Sequence, residues 1–194
     1  MQWREKAARL IVVTKDKNRS PSWIDVKVAL LNFDRAGLFR LVQDLYARSK
    51  ANQAFLHARL GLGHDQLKPY KATISKSICP DLMRGQLVSI SKAKKAIGDY
   101  KNAIGQPTGL AELTIFYCEE AFSFLEGVGY EDEPYFLALI RMYSQALKFV
   151  SNLPADARAG YVDRLDKLRS RGRYVGWGVE DELNSLWYDS EFGA

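Results

Sequence analysis

The sequence predicts an all-α protein: an irregular multi-helix bundle or short helical array of about nine to ten helices, with a short N-terminal strand as a possible extra element. Three observations lead there. Apolar residues recur at three- and four-residue spacing through most of the chain. Most of these segments open on a Ser, Asp or Pro, and several close on a Gly. The connections between them are short enough for neighbouring antiparallel helices.

Taken in order, residues 3–13 read as a short helix or, through the β-branched run at Leu10–Val13, as a strand. A polar, basic loop follows to Pro21, and residues 1–21 form a peripheral basic segment. Ser22 with Asp25 reads as a capping box for a helix carrying Trp23, Ile24, Val28 and Leu31. Asp34 caps a second, with Leu38, Leu41, Val42, Leu45 and Tyr46 on one face. Ser49 opens a third, which carries Phe55, Leu56 and Leu60 and ends at Gly61. His64 helps to cap a fourth, in which Leu67, Tyr70, Ile74 and Ile78 keep register until Cys79-Pro80. Asp81 caps a long helix from Met83 through Leu87, Ile90 and Ile97 to Ile104.

Gln106-Pro107-Thr108-Gly109 is the clearest interior break, a sub-boundary near 105–109 within a single domain spanning 1–194. Beyond it, Leu110, Leu113, Tyr117, Ala121 and Phe124 point inward. Glu131-Asp132-Glu133-Pro134 then starts a helix to Val150 that is apolar over half its circumference, the pillar of the expected core. Another helix carries Tyr161, Leu165 and Leu168. Arg169 to Gly178 reads as a basic, glycine-rich loop that turns Trp177 onto the core, and a last helix offers Leu183, Leu186 and Trp187.

The charge is lopsided. Residues 1–110 hold 20 Lys/Arg against 8 Asp/Glu, net +12; residues 111–194 hold 8 against 15, net −7. Such a layout suits an acidic partner on the first half, or head-to-tail association of two copies. The apolar runs fall far short of the roughly 20 residues a membrane span needs. The first residues lack the pattern of a secretory leader, and Cys79 and Cys118 are too few for a disulfide framework, so a reduced, cytoplasmic setting is expected.

Several local motifs together resemble a family of small, mostly helical bacterial proteins of unknown function. They are Val28-Ala-Leu-Leu31, Leu38 to Tyr46, Asn52-Gln-Ala-Phe-Leu56, Ala93-Lys-Lys-Ala-Ile97 with Asp99-Tyr100-Lys101, Glu131 to Pro134 and Gly176-Trp177-Gly178. The resemblance spans roughly residues 25–190 and implies a compact helical protein; it carries no activity or catalytic residues with it.

Candidate chemistry is sparse. His57 and His64 lie seven residues apart, but Gly61 and Gly63 interrupt the helix that would align them, so no metal site is expected. No cofactor motif is present: the glycines at 172, 176 and 178 fit neither familiar phosphate-loop spacing. Neither cysteine has a nearby histidine, and no nucleophile elbow occurs, so catalysis is not expected. Glu112, Glu119 and Glu126 recur every seven residues and predict a solvated acidic stripe or an acidic partner surface. Lys68, Lys71, Lys76, Lys92, Lys94, Lys95 and Lys101 form a candidate partner surface, with Arg169, Arg171 and Arg173 as an anion-binding cluster. The helices at 22–48 also read as a helix-turn-helix presenting Arg40, Gln43 and Arg48, although Asp44 sits in the middle of that face.

The expected function is a non-catalytic binding or regulatory module, for another protein or for itself. Nucleic-acid binding through the basic half is the alternative and an enzyme of unassigned type the third.

Overall fold

A computed structural model describes residues 20–62 and 65–193, with Ala58 described by its backbone alone. The strand expected at Leu10–Val13 and the capping role of His64 lie outside the described residues. Among those residues there are nine α-helices and no strand. The helices are α1 (Trp23–Leu30), α2 (Arg35–Arg48), α3 (Lys50–Arg59), α4 (Lys68–Ile78), α5 (Ile90–Ala103), α6 (Pro107–Val128), α7 (Glu133–Ser151), α8 (Ala155–Arg171) and α9 (Val179–Tyr188). Short 3-10 turns lie at Leu82–Arg84 and Gly172–Tyr174. No helix among the described residues is long and apolar enough to cross a membrane. The chain falls into two compact units, residues 1–53 and 54–194, with the division inside α3.

In the first unit, α1 and α2 start where the caps place them. The Ser22 amide donates to the Asp25 carboxylate at 2.6 Å, and Asp34 accepts from the Gly37 amide at 2.7 Å. The Ser49 hydroxyl accepts from the Asn52 amide at 3.1 Å, opening α3. Yet neither α1 nor α2 buries a single residue.

The second unit holds the core. α6 buries twelve of its 22 residues, among them Leu113, Ile115, Tyr117, Cys118 and Phe122. It packs on α4, α5, α7 and α8. α7 opens as its sequence dictates: the Asp132 carboxylate accepts from the Tyr135 amide at 2.8 Å, and Pro134 occupies the first turn. Its Tyr135, Leu139, Tyr143 and Val150 are buried, whereas Ile140 lies half exposed, so the pillar is narrower than the sequence suggests and shares its place with α6. Two buried hydroxyls tie the pillar to its neighbours, Tyr135 donating to the Ile78 carbonyl at 2.7 Å and Tyr143 to the Leu165 carbonyl at 3.2 Å.

Two expectations need correction. The long helix does not begin at Asp81. That residue caps only the 3-10 turn, which Gly85 ends in the left-handed region (φ 69°), and α5 starts at Ile90. Met83 and Leu87 are consequently 96% and 84% exposed rather than packed. Nor does the break at 105–109 separate sub-domains. Gly105 turns with φ 68°, but Tyr100 on α5 and Leu110, Ala111 and Leu113 on α6 belong to one core. The Tyr100 ring lies directly on Gly109, where there is no room for a side chain. The charge changes sign where the chain turns, not where the core ends.

Candidate binding surfaces

Glycine-free heptad spacing puts Glu112, Glu119 and Glu126 on one edge of α6, and α8 presents Arg164 and Arg171 at the same spacing. The two edges meet. Arg164 binds Glu119 through two hydrogen bonds of 2.7 and 2.8 Å and also binds Glu112; Arg171 binds Glu126 through two of 2.8 Å. Lys71, reaching from α4, adds a second cation at Glu112 and lies over the Phe116 ring at 5.0 Å. Burial alone would raise the Glu112 carboxyl, but hydrogen bonds from Arg164 and Lys71 and their charges outweigh it and hold the group below its ordinary value. Hydrogen bonding to Arg171 likewise lowers Glu126. The acidic stripe is therefore an ion-pair seam with α8 that grades from half-buried Glu112 to solvent-exposed Glu126, rather than a free acidic surface.

The arginines at 169–173 are matched as well. Arg169 binds Asp166 at 2.6 Å and Asn184 at 2.7 Å while stacking over Trp187 and Tyr188; Arg173 reaches Glu180 at 3.3 Å. α8 runs to Arg171, so Arg169 and Arg171 are helix side chains clamped to neighbours, while Arg173 stands exposed on the 3-10 turn that follows. Trp177, expected to lock onto the core, is 61% exposed and takes φ 53° between two left-handed glycines, its ring stacked on Phe136 at 5.6 Å.

The lysines divide. Lys71 is spent in the seam and Lys95 pairs with Asp99 at 2.7 Å. Lys68, Lys76 and Lys92 are exposed without an ion pair among the described residues, but helical spacing puts Lys92 about 160° from Lys94, so they form no single stripe. Lys94 and Lys101 do share a face, since seven residues bring them back to nearly the same angle. They line a groove between α5 and α7 of about 240 Å³, with Arg141 and Gln145 on the opposite wall, and Ile97, Leu110, Met142 and Phe149 within it. Gly98 leaves this wall of α5 open: a Cβ there would meet nothing within 4 Å.

A wider depression of about 550 Å³ along α8 has no such free charge, since its Arg158, Asp163 and Asp166 are bound to Glu191, Lys167 and Arg169. A third, of about 150 Å³, brings Tyr100 and Glu112 together, but burial raises the tyrosine and cations hold the carboxylate ionised, so neither is tuned for proton transfer near neutrality. Burial pushes the thiols of Cys79 and buried Cys118 upward, away from the thiolate a nucleophile needs. His57 is exposed on α3 and His64 lies outside the described residues; no cluster of three or more His, Cys, Asp or Glu fit for a metal occurs among the described residues.

The remaining surface is apolar. Along α1 and α2, Trp23, Ile24, Leu31, Phe39 and Leu45 are between 48% and 71% exposed. The caps and apolar spacing of α1 and α2 were legible in the sequence; that neither helix buries a residue was not. Comparisons with protein-family models, with curated proteins and with solved structures return no match for this chain.

Proposed function

We propose that the chain is a non-catalytic protein-binding module that engages its partner through the exposed apolar side chains of α1 and α2. One observation carries this reading: two helices with formed caps bury none of their own residues and expose Trp23, Ile24, Leu31, Phe39 and Leu45. Two short helices cannot sustain themselves on propensity alone, and apolar faces of this kind mark surfaces that become covered on association. The association is driven by apolar area rather than by oppositely charged halves, because Glu112, Glu119 and Glu126 are already neutralised within the second unit. The partner is another protein or a second copy of the chain.

Light scattering over a range of concentrations, followed by affinity capture from the source cell, tests this with Phe39→Glu beside the parent protein. Association that is lost in Phe39→Glu, with the second unit's thermal melt unchanged, is the expected result. A parent that stays monomeric and retains no protein that Phe39→Glu fails to retain would sink the reading.

Nucleic-acid binding is the second reading, favoured by Lys68, Lys76, Lys92, Lys94 and Lys101, which have no acidic partner among the described residues. It requires measurable, steeply salt-dependent affinity for generic DNA or RNA at low ionic strength.

A further inference from the structure

We propose that the groove between α5 and α7 is a binding site for a small aryl carboxylate, a role independent of α1 and α2. The first observation is Arg141. The described arginines of the second unit are otherwise all engaged: Arg59 with the Ala103 carbonyl, Arg84 with Asp81, and Arg158, Arg164, Arg169, Arg171 and Arg173 with carboxylates. Arg141 alone has no hydrogen bond or ion pair to a described residue, and it lines the groove.

The second observation is the company it keeps. Lys94 and Lys101 stand on the facing wall and no acidic residue lines the space. Three like charges around a concave surface repel one another and hold a positive potential that a bound anion relieves. Seven residues of helix separate the two lysines by about 10 Å along the axis, too far to close together on one phosphate. The planar guanidinium of Arg141 instead matches a carboxylate in two parallel hydrogen bonds, and Gln145, one turn further along α7, supplies an amide beside it.

The third observation is the lining and its size. Ile97, Leu110 and Met142 provide an apolar floor and Phe149 an aromatic edge, a combination that receives a flat ring through stacking and sulfur contacts. At about 240 Å³ the groove lies below the roughly 300–1,000 Å³ of sites for drug-sized ligands, so a single ring with one acidic group is the fitting occupant. Gly98 keeps the entrance clear. A glycine inside a helix costs stability relative to alanine, and here its missing side chain leaves space at the groove rather than relieving a clash.

The test uses the full chain and phenylacetate, phenylacetamide and inorganic phosphate as probes, read by amide chemical shifts of the protein. Phenylacetate is expected to shift Gly98, Gln145 and Phe149 saturably, with phenylacetamide and phosphate leaving them in place. Arg141→Gln should weaken phenylacetate at least about tenfold, the loss of one charged, two-point contact. Gly98→Leu should abolish binding with the helical circular dichroism retained, while Arg173→Gln, outside the groove, should bind as the parent does. The proposal is overturned if the amide or phosphate binds as tightly as the acid, if Arg141→Gln matches the parent, or if no saturable shift appears by about 10 mM, an affinity below what one charged contact and a buried ring supply. The comparison of acid with amide on the unaltered chain decides the matter even if a variant fails to fold.

Discussion

Glu112→Gln isolates the ion-pair seam with almost no change in shape. The Glu112 side chain is 17% exposed and accepts from both Lys71 and Arg164, whereas Arg164 keeps its paired contact with Glu119 when Glu112 is neutralised. Hydrogen bonds to charged groups in such surroundings contribute about 1.5–3 kcal/mol each, and the desolvation of the carboxylate that is recovered on substitution offsets part of two of them. A net loss of about 2–4 kcal/mol follows, which for a domain of this size lowers Tm by roughly 4–16 °C. Glu126→Gln is the control: its side chain is 39% exposed, and pairs of that kind contribute about 0–1 kcal/mol. The acid limb gives a second reading. Because the folded Glu112 carboxyl lies below its ordinary value of 4.5, the native state binds fewer protons than the unfolded chain in the acid range. The stabilisation is complete above that value and is lost as pH falls through the depressed folded value, so the parent and Glu112→Gln converge in acid. Thermal melts by near-ultraviolet circular dichroism at pH 7 and pH 3 measure both effects. A deficit under about 0.5 kcal/mol at pH 7, or one that persists undiminished at pH 3, would refute the reasoning.

Two further substitutions test the core itself. Tyr143 is fully buried and bonded to the Leu165 carbonyl, so Tyr143→Ala should cost about 3–5 kcal/mol in urea unfolding, against about 1–2 for half-exposed Ile140→Ala. A reversed order would mean that the inward face of α7 is rotated from the one described. Gly109→Ala places a methyl inside the Tyr100 hydroxyl and should cost about 1–3 kcal/mol through overpacking, seen as a lower urea midpoint with an unchanged slope. A variant as stable as the parent would show that α5 and α6 do not approach as closely as Tyr100 and Gly109 indicate.

Local features were the legible ones. Asp132 and Pro134 announce the start of α7, and Asp34 that of α2, because a cap and its helix lie within four residues of each other. The seven-residue spacing of Glu112, Glu119 and Glu126 was equally visible, but its partners stand about 45 residues further along the chain, and no local period encodes which helix edge will meet it. Reading Arg169 to Gly178 as loop hid the fact that α8 extends to Arg171. The Met83–Leu87 error has a related cause: the apolar spacing continues across Gly85, whose left-handed backbone ends the turn regardless of its neighbours. The groove left a faint trace, a mid-helix Gly98 between Lys94 and Lys101; that Arg141 would face them from α7 is a matter of packing.

The seam also determines how firmly different parts of the second unit are held. α8 buries only Leu165 and Leu168 within its own length, with Ala157, Tyr161 and Val162 partly buried beside them, against nine buried residues for α7, so the Arg164 contacts form a larger share of its attachment than any ion pair does for α7. Apolar attachment is indifferent to dilute electrolyte, whereas partly exposed ion pairs weaken as counterions accumulate. Ionic strength is therefore expected to act on one helix first: raising it should cost α8 amide-exchange protection before the α6–α7 pair loses any.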